Sequence, residues 1–150
     1  MGKRLIALLA ALAALAMIVA GCGGDGDSTD SLTKAEFVKQ GNAICVEGEK
    51  KLEAEIEEFF EGEKQPTKVQ LEEAANAVFL PSLRKQVGEI RDLGLPSEGA
   101  GEADKALKAA EEALKKGEED PSILLVQGPG PFAEANKLAK EFGLTKCAEE

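Results

Sequence analysis

A chain of 150 residues is about one domain's worth, and a composition without His, Trp or Tyr excludes Ser-His-Asp and Cys-His catalysis and every His-containing zinc site. Its 18 basic and 28 acidic residues give a net charge of −10. Phosphate binding needs clustered Lys and Arg, so nucleic acid is not an expected partner.

Residues 1–21 read as a leader. Lys3 and Arg4 precede an unbroken apolar run of 16 residues, Leu5 to Ala20, which has the layout of a secretory signal and falls short of the roughly 20 residues of a membrane span. Val19-Ala20-Gly21-Cys22 then resembles the bacterial lipobox, an aliphatic-small-small-Cys pattern read by lipoprotein-processing enzymes. The resemblance implies cleavage before Cys22, a thioether-linked diacylglycerol on its sulfur and a further acyl group, such as palmitate, on its amine. Each buried CH₂ contributes about 0.8 kcal/mol, so two or three chains anchor stably where one does not. The expected partner at Cys22 is therefore a lipid bilayer, on the extracytoplasmic side of a cell envelope. Loss of Lys3 and Arg4 leaves 16 basic residues against 28 acidic ones, a mature charge of −12.

Residues 22–31 hold only Gly, Asp, Ser and Thr after the cysteine and read as a flexible tether. Asp25, Asp27, Thr29, Ser31, Thr33 and Glu36 fall at positions 1, 3, 5, 7, 9 and 12 of a twelve-residue pattern that resembles an EF-hand calcium loop. The pattern departs from that loop where geometry matters: position 6, which needs Gly, is Asp30, and no incoming helix precedes Asp25.

The remainder, residues 32–150, reads as one helical domain. Thr33-Lys34-Ala35-Glu36 is a capping box that opens a first helix. Phe37, Gly41, Ile44, Cys45, Gly48, Leu52, Ile56 and Phe59 recur at three- and four-residue steps, so the helix is amphipathic and extends to about Glu61. Gly41 and Gly48 each cost about 1 kcal/mol relative to Ala in a helix, and their place on the apolar stripe predicts a close neighbour. Gly62 ends this helix. Pro66-Thr67 with Gln70 opens the second, whose apolar positions run from Leu71 to Ile90 and are divided by Pro81. A proline removes one helical hydrogen bond and clashes with the preceding turn, which predicts a kink or short break near Phe79–Pro81. Leu93-Gly94-Leu95-Pro96 stops the element and 96–101 is a linker. Ala103, Ala106, Leu107, Ala110, Ala113 and Leu114 share one side of a third helix, with Gly117 as its stop. Ile123-Leu124-Leu125-Val126 is apolar without a period and fits a short strand or a short helix. The G-x-G in Gly128-Pro129-Gly130 has no basic residue after it and makes no phosphate cradle. Pro131 starts a last helix with Phe132, Ala135, Leu138, Ala139 and Phe142 on one face, closed by Gly143. No strand pair is evident. The expected fold is all-α, a small bundle of about four helices.

Val, Ile, Leu and Phe make up 29 of the 129 residues after the leader, a thin core for a chain of high charge. With Cys22 committed to lipid, Cys45 and Cys147 form an even set in an oxidising compartment and are expected to pair as a structural disulfide. Two cysteines without His make a poor metal site, and their wide separation lacks the C-x-x-C arrangement of thiol oxidoreductases. The stretches Phe37–Cys45 and Phe132–Cys147, with the Leu93–Pro96 stop between, resemble small exported bacterial lipoproteins. That resemblance covers most of the mature domain in fold markers and implies no activity.

Three functional classes follow. The first is a non-catalytic, membrane-tethered module that binds an envelope protein or small ligand, with no cofactor, metal or catalytic residue. The second is a calcium-responsive module, motivated by the charge and the tether pattern. The third is a hydrolase using paired carboxylates, which the absence of Trp, Tyr and His for positioning substrate disfavours. Asn42 and Asn136, on helices that the disulfide would draw together, are the uncharged polar residues to inspect for a shared buried network; the expected placement is local and solvent-facing.

Overall fold

The computed structural model describes residues 31–63, 65–125 and 130–148. The leader, Cys22 and nearly all of the tether lie outside these residues. The described chain is helical throughout, without a strand: α1 (Lys34–Phe60), α2 (Lys68–Ala74), a π turn (Ala75–Phe79), α3 (Leu80–Asp92), α4 (Ala100–Glu119) and α5 (Ala133–Phe142). Short 3₁₀ turns follow α4 (Pro121–Leu124) and α5 (Thr145–Cys147). Because α2, the π turn and α3 form one continuous element, there are four principal helices among the described residues, as the periodicity predicts.

Helix starts follow the sequence closely. Thr33 and Thr67 both cap through reciprocal boxes, with Glu36 and Gln70 as the third helical residues. The first helix ends on Glu61 and Gly62, which both take positive φ, and Gly143 closes α5 at φ 114°. Ile123-Leu124 enters the 3₁₀ turn, so the apolar run after Asp120 takes its helical alternative. The last helix begins at Ala133, two residues after Pro131, which sits in the preceding turn.

The irregularity expected at Pro81, a kink or short break, takes the form of a π turn just ahead of the proline. The Leu80 N–H donates to the Ala75 carbonyl, five residues back, and the chain stays helical through the proline to Asp92. A π turn widens the helix just ahead of a residue that has no N–H of its own and crowds the turn before it. Gly117 does not stop the third helix, which runs two residues further. It is buried against α3, where a Cβ would stand 2.9 Å from Leu80 Cδ2. Both glycines on the α1 stripe have the same role. A Cβ at Gly41 would meet Leu144 Cδ2 at 2.6 Å, and the side chain of Gln86 on α3 lies directly over Gly48. The neighbour at Gly48 is the expected helix; at Gly41 it is the segment after α5.

The core joins Phe37 and Cys45 of α1, Ile90 of α3, Ala103 and Leu107 of α4, Ala139 and Phe142 of α5, and Leu144 and Ala148 beyond it. Phe37 and Phe142 meet edge to face at 5.9 Å, and the Lys34 ammonium lies 4.6 Å above the Phe142 ring. Arg91 couples α3 to α4 by bonding Asp104 at 3.2 Å and Glu111 at 2.7 Å. Among the described residues no helix is long and apolar enough to cross a membrane.

Candidate functional site

The C-terminal segment is strapped to the middle of α1. The sulfurs of Cys45 and Cys147 are 2.07 Å apart, at disulfide distance, across 102 positions of sequence. One turn earlier on α1, the Asn42 Nδ2 donates to the Gly143 carbonyl at 3.0 Å and the Lys146 N–H donates to Asn42 Oδ1 at 2.9 Å. Asn42 thereby satisfies a carbonyl released at the end of α5 and an N–H of the following turn. Leu144 is packed over Gly41 beside it. Asn136 takes no part in this clamp; it faces the groove described next, so the shared Asn42–Asn136 network does not form among the described residues.

A groove of about 1020 Å³ lies between α1, α3, α4 and α5, with Cys45 and Cys147 in its lining. Leu52 of α1, Leu83 and Val87 of α3, and Phe132 at the entry to α5 line it. Alanines form much of the rest, Ala106 and Ala110 on α4 and Ala135 and Ala139 on α5. Ala106, Ala135 and Ala139 are buried, and their small side chains let the two helices approach closely. Phe79, delivered by the π turn, meets Phe132 edge to face at 6.4 Å. Charges sit at the rim: Glu49 on α1, Lys137, Lys140 and Glu141 on α5, and Lys146 after it.

A second groove of about 720 Å³ runs along the other side of α1, between it and the π turn and α3. Its lining mixes Ile44, Phe59 and Val78 with Glu47, Lys51, Lys85 and Glu89, and Lys51 pairs with Glu47 at 2.7 Å. It is the smaller and more polar of the two.

The titrating groups add a constraint. The Thr33 hydroxyl and N–H donate to Glu36 and hold its carboxyl below the ordinary value. Lys51 lowers Glu47 in the same way, and Lys108 and then Arg91 lower Asp104. These three carboxylates are all displaced downward, and none of them lines the large groove. Glu36, the twelfth residue of the calcium-like pattern, has one carboxylate oxygen engaged by its own helix cap; positions 1 to 6 of that pattern lie outside the described residues. No group of three or more acidic or cysteine side chains placed to hold a metal ion occurs among the described residues.

No protein-family model, curated protein or solved structure matches the chain. The structure places Cys45 and Cys147 together as the sequence predicts and leaves Cys22 outside the described residues. The groove was not anticipated from sequence.

Proposed function

We propose that the protein is a membrane-anchored extracytoplasmic lipoprotein whose helical domain is a non-catalytic binding module, carrying a ligand in the groove between α1 and α5. The observation that carries this reading is the groove itself: a concave, largely apolar site with a few charged groups at its rim is the usual form of a small-molecule site. Its lining, more apolar than polar, supports the binding reading. The lipobox-like Val19–Cys22 supports the anchor, and the polar residues that follow it give the domain reach from a bilayer.

Fractionation of cells expressing the full chain tests the anchor. Wild-type protein is expected with the membranes, and the Cys22→Ala variant is expected in the soluble envelope fraction or retained with its leader uncleaved. A Cys22→Ala protein that is cleaved after residue 21 and still sediments with membranes in high salt contradicts the proposal.

A further inference from the structure

The smaller groove contains a polar group that the fold leaves unpaired. Gln86 of α3 is only 9% exposed, yet its side chain has no hydrogen-bond partner among the described residues. No fully enclosed side-chain N or O lacks a partner there, so the Gln86 amide atoms keep an opening. Gln86 borders both grooves, but its Cδ and Nε2 atoms stand over Gly48, which lines the smaller groove and not the larger one. An amide withdrawn from water without a replacement bond costs free energy. An occupant with a polar group at this point would recover that cost.

The groove is a crease between two antiparallel helices, since Gly41 meets Ile90 and Gly48 meets Gln86. It runs from Ala43 to Phe59 on α1, about 24 Å at 1.5 Å per residue, and from Ala77 to Glu89 on the facing element. Helices spend their backbone groups internally, and Ser82 and Gln86 are the uncharged polar side chains of the lining. An extended peptide laid here would therefore leave most of its backbone N–H and C=O groups unpaired. A helix satisfies its own, and an amphipathic helix seats its apolar face in such a crease.

Charge decides the sign of the occupant. Residues 43–89, which span both walls, carry eleven acidic and six basic side chains, a net charge of −5. The two cations of the lining are engaged, Lys51 with Glu47 at 2.7 Å and Lys85 beside Glu89 at 4.0 Å. Arg84, just outside it, is held by Glu118 of α4. Glu55 and Glu58 make no ion pair among the described residues and flank Phe59, a large apolar side chain that is 37% exposed. The end of the crease formed by Glu55, Glu58, Phe59, Ala77, Val78 and Pro81 is thus apolar and acidic, without a basic side chain. It repels an anionic bilayer and complements a cationic protein surface.

We propose that this crease docks a basic amphipathic helix of a partner protein, about fifteen residues long, with its apolar stripe against Ile44, Val78 and Phe59, its cations beside Glu55 and Glu58, and a polar side chain bonded to Gln86. The proposal goes beyond the ligand reading above, because it concerns the other groove, and it does not depend on the anchor.

Peptide titration by calorimetry and NMR tests it on the chain from residue 22 with Cys22→Ser, which retains every described element. The probe is a helical peptide of about eighteen residues, with Leu on one stripe at three- and four-residue steps and Lys elsewhere. It is expected to bind, more weakly as salt rises, whereas its Glu-for-Lys analogue and a scrambled peptide of equal charge without the stripe are expected to bind at least tenfold more weakly. Glu55→Gln with Glu58→Gln should weaken the probe about three- to tenfold. Glu112→Gln with Glu134→Gln, which removes the same charge from exposed positions outside the crease, should change it less than twofold. The side-chain amide resonances of Gln86 are expected to shift on binding, with those of Asn136 unmoved. Failure of the probe to bind, equal affinity for the scrambled peptide, equal losses from the two glutamate pairs, or shifts that include Asn136 and omit Gln86 would overturn the proposal. So would binding to phosphatidylglycerol vesicles in preference to the peptide.

Discussion

Single residues decide how closely these helices approach. Gly48 is the clearest case, because a methyl group there falls on the Cδ, Cγ and Nε2 atoms of Gln86, a buried side chain that would have to shift. Alanine has a helix propensity about 1 kcal/mol better than glycine, while forcing a packed contact typically costs about 1–3 kcal/mol. Gly48→Ala is therefore expected to lower the denaturant midpoint, and adding Gln86→Ala to restore most of the loss. The coupling in this double-mutant cycle should be about 1 kcal/mol or more, and additive effects would show that the two residues do not meet. The apolar stripe made Gly41 and Gly48 legible in the sequence as close-approach positions. Gly117 reads as a stop because glycine near a helix end has two uses, and only the neighbouring Leu80 distinguishes them. Asn42 was legible only as a polar residue on the right helix. Its partners lie 101 and 104 positions away, a distance over which sequence pattern carries no register.

Elements with local causes were the most legible. Two capping boxes and a left-handed glycine fix three helix ends through bonds that span three or four residues, and the structure reproduces them. Pro81 announced an irregularity without giving its form, since a break and a π turn both answer a missing N–H. Coupling between elements has an ionic part at α3 and α4, where Arg91 grips Asp104 and Glu111. Asp104 is held below its ordinary value of 3.8 by Lys108 and Arg91. Its contribution is therefore complete above that value and is lost as pH falls through the lower, folded-state value. Thermal melts of wild type and Asp104→Asn between about pH 7 and pH 2 should differ by a constant amount down to roughly pH 5, then converge below the ordinary carboxylate range. A difference that grows on acidification would contradict this network.

For the molecule as a whole, the all-α architecture was legible in the hydrophobic periods, but the groove was not, because a cavity is set by the summed volume of side chains from four helices. The thin core gives the Cys45–Cys147 bridge its importance. Closing a loop of about 100 residues is worth up to about 4.7 kcal/mol in the chain-entropy treatment, with typical losses of about 2–5 kcal/mol on removal. Reduction, or Cys45→Ala with Cys147→Ala, is thus expected to lower Tm by about 10 °C or more, and the two treatments should agree. An unchanged Tm would assign the strap to Asn42 and Leu144 alone.

The proposed lipoprotein gives its three cysteines separate fates, Cys22 to lipid and the other two to each other. Intact mass of the protein purified from its own membranes without reductant, followed by thiol titration after unfolding, reads all three together. The expected product begins at residue 22, carries the added mass of two or three acyl chains and presents no titratable thiol. A product that begins upstream of Cys22 without acyl mass, or one that presents two thiols, would contradict it.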